Sequence, residues 1–376
     1  MTNEMQDRKV TDMIYLVRCA VNNRKPDKQR IETMNHNAIL SLASAHMMST
    51  IVAIALESAG IKNQLTATAI VNGVRRDCFF EKAWGEISSE LEKNNIWYLP
   101  LKGAVLKSYY KKPGMREYSD YDILIDKTKT ESIKTIMMDL GFEMQHDDYG
   151  HDIVFYKKPV LNFEMHTFLF GSGHSEVMNK YYADISNRSL KDDDNKYGYH
   201  LSNEDFYIYM IAHEHKHYSE GGTGLRSLLD TYIYVKSVNL DFNYIENEIK
   251  KIGITEFEKT NRSLSVKLFS GQDLNSEEEK MLSYIISSGT YGTFEHSIEN
   301  KIRKKGGSKI KYALSRFFVP IRKSNPKYIY YSQKYPKFYR NKLKICLLPF
   351  YRTYMAIKNN SFKRELKEVV NAKSDK

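Results

Sequence analysis

Between residues 9 and 94, apolar positions return every three or four residues, the period of helices with one buried stripe. Met13, Leu16, Val17 and Ala20 form one such stripe. Residues 28–47 and 49–59 read as further helices, and Gly60 is a plausible stop. Residues 61–91 read as one long amphipathic helix with Ala67, Ile70, Val74, Phe79, Phe80, Ala83, Trp84, Ile87 and Leu91 near one face. The period then changes. From 95 to 171, short apolar runs alternate with helical stretches: strand 96–100, helix 104–110, strand 120–125, helix 128–140, then strands at 142–145, 152–156 and 160–170. Thr128 is the expected cap of its helix and Gly141 its terminator, with turns at Tyr149-Gly150 and Lys157-Lys158-Pro159. A polar connection with a helix near 176–185 leads to a helix opened by Ser202. The run Gly221-Gly222-Thr223-Gly224 breaks the chain, a helix follows over 225–235, and amphipathic helices continue beyond 244. The pattern predicts an α+β fold. An α/β core at 95–200 holds a small mixed sheet, flanked by an N-terminal helical region (1–94), a further helical region (201–300) and a helical tail (301–376).

Composition narrows the class. Of the 376 residues, 41% are hydrophobic and 27% charged, which excludes a disordered chain. Cys19, Cys78 and Cys346 are scattered and odd in number, so a disulfide scaffold or zinc ribbon is not expected and a reducing compartment is. The first residues carry no apolar signal core and no run has the length to span a bilayer, so a cytoplasmic protein is expected. The charge is uneven. Residues 301–376 hold 22 Lys and Arg against 3 Asp and Glu, a balance of +19, whereas the preceding 35 against 43 give −8. The tail interleaves these cations with Tyr and Phe, so it calls for an anionic partner. An anionic membrane surface, the inner face of the cell membrane, is favoured over nucleic acid because no RNA-binding motif is visible, although Pro349 interrupts a continuous interfacial helix. Ahead of both partners stands a plain packed helical subdomain with snorkelling Lys and Arg.

The candidate chemistry lies between Leu99 and Ile125. Side chains alternate faces along a strand, so a strand over 120–125 points Asp120 and Asp122 the same way. Two neighbouring carboxylates repel unless a cation lies between them, and Mg²⁺ is held by one or two carboxylates together with substrate phosphates. Lys102-Gly103 stands one helix upstream, where a glycine lets backbone N–H groups approach phosphate and a lysine adds charge. Glu164 and His166 alternate onto one face of a later strand, so Asp120, Asp122 and Glu164 would make a three-carboxylate cradle for Mg²⁺ or Mn²⁺.

With these residues in place, the sequence resembles the DNA polymerase β-type nucleotidyltransferases. It is most similar to the bacterial branch in which Lys-Gly stands where other members have Gly-Ser, followed by Arg-x-x-Ser-Asp-x-Asp; here these are Lys102-Gly103 and Arg116 to Asp122. A second match follows in the same order, a helix with His213 and His217 and then Gly224-Leu225-Arg226-Ser227-Leu228-Leu229-Asp230. The resemblance covers roughly 95 to 235. It implies transfer of an NMP from an NTP to an acceptor hydroxyl, in a branch often associated with surface-polysaccharide gene sets, which makes a sugar or polyol an expected acceptor. Asp120, Asp122 and Glu164 would be the catalytic metal ligands, with Glu164 alternatively the base. Lys102, Gly103, Arg116, Ser119 and Arg226 would bind the nucleotide. His213 and His217 would line the acceptor side, Asp230 would orient Arg226 or a histidine, and His166 would stand behind the ligands or in the core.

The literal H-E-x-x-H at His213–His217 also fits a zinc protease helix. Glu220 and Thr223 stand where a metzincin needs glycine and histidine, and Lys236 and Ser237 where a thermolysin-like third ligand would fall, so that reading fails. Three rivals to a small-molecule transferase stay open: a nucleotidyltransferase-type toxin or antitoxin acting on protein or tRNA, a silent nucleotide-binding module, and a membrane-surface scaffold.

Overall fold

The computed structural model describes residues 3–147, 152–170, 175–290, 292–323, 325, 328–359 and 361–372. Five helices open the chain: α1 (Asn3–Val21), α2 (Lys28–Glu32), α3 (His36–Ala45), α4 (Ser49–Ser58) and α5 (Gln64–Lys93). The helix expected over 28–47 is broken because Asn35 caps a new one, its side chain accepting the Ala38 N–H. The long α5 starts in a capping box in which the side chains of Asn63 and Thr66 satisfy each other's backbone N–H groups.

The sheet follows: β1 (Tyr98–Pro100), α6 (Gly103–Leu106), β2 (Tyr121–Ile125), α7 (Thr130–Asp139), β3 (Glu143–Asp147), β4 (Asp152–Lys157) and β5 (Leu161–His166). Its order is β1-β2-β5-β4-β3, with β2 and β5 parallel and the other pairs antiparallel. The turn expected at Tyr149-Gly150 lies outside the described residues. Asp126, not Thr128, is the cap ahead of α7; its carboxylate takes both the N–H and the hydroxyl of Thr128, so a 3₁₀ turn precedes the helix. Gly141 ends α7 with φ +81°, as expected of a terminator.

Period-2 alternation divides the sheet's residues between two faces. Tyr121, Ile123, Ile125, Phe155, Phe163 and Met165 pack with Phe80, Ile87 and Leu91 of α5 and Ile133 and Met137 of α7. Leu99 and Leu124 face the other way, toward Phe206, Tyr209 and Met210. Those belong to the next run of elements: α8 (Glu176–Tyr181), α9 (Ile185–Arg188), β6 (Leu190–Lys191), β7 (Tyr199–His200), α10 (Asn203–Glu220), α11 (Leu225–Ser237), α12 (Phe242–Ile252), α13 (Thr255–Ser270), α14 (Ser276–Ser288) and α15 (Phe294–Arg303). A third core joins this run to the first helices, uniting Leu16 and Ile51 with Leu228, Leu264 and Ile285.

The tail is helical as expected: α16 (Lys309–Arg316), α17 (Tyr328–Lys334), α18 (Pro336–Tyr339), α19 (Lys342–Ile345), α20 (Leu348–Lys358) and α21 (Ser361–Asn371). Pro349 does not interrupt it. It stands in the first turn of α20, where the missing N–H has no intrahelical partner to lose.

Candidate active site

The parallel pairing of β2 with β5 sets Asp122 opposite Glu164 and Leu124 opposite His166. The antiparallel pairing of β4 with β5 adds Asp152 opposite His166 and Val154 opposite Glu164. Register alone thus gathers three acids and an imidazole on the sheet face that α10 covers.

Asp122 is the centre of the group and is 2% exposed. Its Oδ1 accepts from Lys102 Nζ at 2.6 Å and lies 2.7 Å from His166 Nε2. His166 Nδ1 is 2.6 Å from Asp152 Oδ1, so both ring nitrogens face carboxylates and both donate in the imidazolium form. Burial works against that charge, but the hydrogen bonds to Asp122 and Asp152 push the imidazole up to about 9. Burial likewise opposes ionisation of Asp122, yet Lys102 and then His166 hold its carboxyl well below the usual range. Glu164 differs. Burial and the charges of Asp122 and Asp120 push its carboxyl up to about 7. Lys102 and His166, whose Nε2 lies 3.9 Å from Glu164 Oε2, offset that repulsion only in part, and a divalent cation between the carboxylates would relieve it.

Among the described residues, Asp122, Glu164 and His166 offer ligand atoms that all lie within 4.8 Å of one another. The expected cradle placed Asp120 there instead of His166. Asp120 precedes β2, which begins at Tyr121, and its Oδ1 accepts the Ser119 hydroxyl at 2.9 Å. His166, hydrogen-bonded to Asp122, lies beside the two carboxylates. The two carboxylates fit a hard divalent cation, while Lys102 and His166, which donates to Asp122 and Asp152 as imidazolium, lie on the Asp122 oxygen such a cation would share.

Lys102 reaches Asp122 from a strained backbone. At φ +45° and ψ −116° it adopts a conformation that favours glycine, and the surrounding fold must hold it there. Its Leu101 neighbour is anchored by an N–H bond to the Asp122 carbonyl. Gly103 has a use that its sequence context did not reveal, since a Cβ there would meet Arg116 Nη1 at 2.2 Å. The guanidinium fills that space and grips Asp230 with two hydrogen bonds of 3.0 Å, and the Tyr110 hydroxyl donates to the same carboxylate at 2.6 Å. Asp230 was expected to orient Arg226 or a histidine. It orients Arg116 instead, because Arg226 turns to the Glu117 carbonyl (2.8 Å) and Met47 Sδ (3.4 Å).

A cavity of about 420 Å³ opens over the cluster. It is lined by Lys102, Gly103, Arg116, Ser119, Asp120, Asp122, Glu164, His166, His213, His217, Arg226 and Asp230, so it brings together every site residue expected from the sequence. His213 and His217 sit one turn apart on α10 with Nε2 atoms 3.0 Å from each other. Burial and the nearby Lys102 charge hold the His213 imidazole well below its ordinary value, so this pair is neutral with one ring donating to the other. The sequence reading had not singled out Asp152, Tyr209 and Lys216 as site residues, yet all three line the same space. Only Asp152 had an earlier signal, its place at the start of a strand antiparallel to that of His166.

No curated protein and no solved structure matches the chain. A family model described as an uncharacterised nucleotidyltransferase matches residues 32–270. That span contains every residue lining the cavity except Thr290. The chain, with its small mixed sheet and flanking helices, belongs to this nucleotidyltransferase family and is a transferase of the nucleotidyl-transferring class.

Proposed function

We propose that the protein moves a nucleoside monophosphate from a nucleoside triphosphate to an acceptor hydroxyl, with release of pyrophosphate and with Mg²⁺ or Mn²⁺ as cofactor. The observation that carries this reading is the pair Asp122 and Glu164, set side by side across parallel strands beneath a cavity that also holds Lys102. Asp122 and Glu164 would hold the cation, with Asp120 from the preceding loop. When bound, it supplies Lewis-acid charge to the phosphoryl oxygens and the leaving pyrophosphate.

The chain's own groups do the rest. Lys102 exchanges Asp122 for a phosphate oxygen and neutralises the triphosphate. Arg226 and the Ser119 hydroxyl add donors from the cavity wall. Arg116, locked on Asp230, keeps the Gly103 backbone in place. Glu164 completes the ligand set or takes the acceptor's proton. The acceptor oxygen then bonds to the α-phosphorus as the bond from that phosphorus to the bridging oxygen breaks. His213 and His217, with the hydroxyls of Thr223 and Ser227, line the remaining wall and suit a polyhydroxy acceptor such as a sugar or polyol.

Calorimetric titration of the four NTPs with Mg²⁺ tests this on the wild type, Asp122→Asn and Glu164→Gln. One NTP is expected to bind only with the metal, and Asp122→Asn to abolish that binding while the protein stays folded. Failure of every NTP to bind the folded wild type, with or without metal, overturns the reading.

A further inference from the structure

The tail reverses the usual arrangement of a protein surface. Among the described residues, 14 of the 23 large apolar side chains that stand exposed lie between Ile310 and Val370. They fall in stripes. On α16, Ile310 and Leu314 are one turn apart, and Phe318 extends the line past the helix end at 84% exposure. On α20, Phe350, Tyr354 and Ile357 follow the same spacing, and on α21 so do Phe362, Leu366 and Val370.

The charges are inverted to match. Glu365 of α21 faces inward, accepting the Tyr312 hydroxyl at 2.6 Å and pairing with Arg316. Glu368 is half-buried, whereas Lys363, Arg364 and Lys367 on the same helix are exposed. The three helices are neighbours: the Phe317 and Phe350 rings are 6.5 Å apart, Arg352 donates to the Arg316 carbonyl, and Arg316 reaches Glu365. Acids turned in, with phenylalanines, leucines and lysines turned out, suit one environment better than water, the boundary between anionic headgroups and acyl chains.

We propose that the face formed by α16, α20 and α21 docks on an anionic lipid bilayer, with the aromatic and aliphatic side chains inserted at the headgroup boundary and the surrounding Lys and Arg against the lipid phosphates. No helix among the described residues is long and apolar enough to cross a membrane, so the attachment is peripheral. A second copy of the chain suits this face poorly, because two such surfaces would set a +19 tail against another. The inference is independent of the chemistry in the cavity.

The test is flotation of the full chain with vesicles of phosphatidylcholine alone or mixed with phosphatidylglycerol. The protein is expected to float with the mixed vesicles, to stay behind with the neutral ones, and to be released by high salt. Phe318→Ser with Phe350→Ser, at positions 84% and 66% exposed, should lower the partition at least about tenfold with little change in the melting temperature. Equal flotation with both vesicle types, or no loss in the serine variant, overturns the proposal. So does displacement of the protein from mixed vesicles by a mixed-sequence oligonucleotide, which would make nucleic acid the partner, or a concentration-dependent dimer that ignores lipid.

Discussion

Glu214 lies on α10 beside the cavity with both carboxylate oxygens buried and without a hydrogen bond of normal geometry, although Asn261, Ser227 and Thr231 stand near enough to act on it. Asn261 and Thr231 face it, and their own polar atoms also lack partners. Burial, reinforced by the charge of Asp230 and opposed by Asn261, pushes the carboxyl up to about 7 from 4.5. In that window the folded state holds a proton the unfolded state has lost, so stability falls as pH rises. The contribution is fully present below 4.5 and gone above about 7, a change on the order of 3 kcal/mol. Glu214→Gln cannot ionise. Thermal melts should therefore show the variant above the wild type at pH 8 and the two converging near pH 4.5; a gap that persists at the acid end would mean that the glutamate has a partner and is charged throughout. The same arithmetic sets apart the Arg116–Asp230 pair, where each charge has a buried partner and removal of either leaves an uncompensated ion.

The connection between α6 and β2 is held by contacts that leave no room for a side chain. Gly114 has φ +77°, and a Cβ there would meet the backbone N of Val74 at 2.6 Å and the carbonyl carbon of Gly73 at 2.7 Å. Gly73 on α5 is equally confined on its other side, by Thr50 of α4. This stack of α4, α5 and loop fixes the stretch that carries Arg116 and Glu117, and Glu117 in turn accepts the Thr50 N–H at 2.8 Å. Gly114→Ala should cost about 2 kcal/mol or more through backbone strain and overpacking. Chemical denaturation reads that cost, and a neutral result would show that the loop is free to shift. Elements of this kind mark the boundary of what the sequence discloses. Asp122 and Glu164 were legible because alternation along a strand fixes their face whatever the partner strand. The switch from helical to strand period at residue 95 located the sheet for the same reason. The Arg116–Asp230 contact was not legible, since it joins residues 114 apart. Spacing favoured Arg226, one helical turn from Asp230, and only the tertiary fold turns Arg226 toward Glu117.

On the scale of the whole molecule, the turn after α3 braces two stretches of the cavity wall that lie far along the chain. The turn after α3 brings His46 to the start of α11, where its Nδ1 accepts the Leu225 N–H at 3.3 Å. Met47 touches Arg226, and the Ala45 carbonyl accepts the Thr290 N–H at 3.2 Å. These contacts rest on the core that joins α1 and α4 to α11, α13 and α14, so the first helices are part of the frame of the site and not an appendage. Leu16 is fully buried in that core. Leu16→Ala should cost about 2–5 kcal/mol through lost burial and the cavity left behind. Because α11 is shared, the loss should reach the sheet as well. Hydrogen exchange of the β2 amides and the helical circular dichroism should then shift together in one unfolding transition. If the helices melted early while the amides of Tyr121–Ile125 stayed protected, the N-terminal helices would be a separate unit, and the positioning of Arg226 would have to come from α10 and α11 alone.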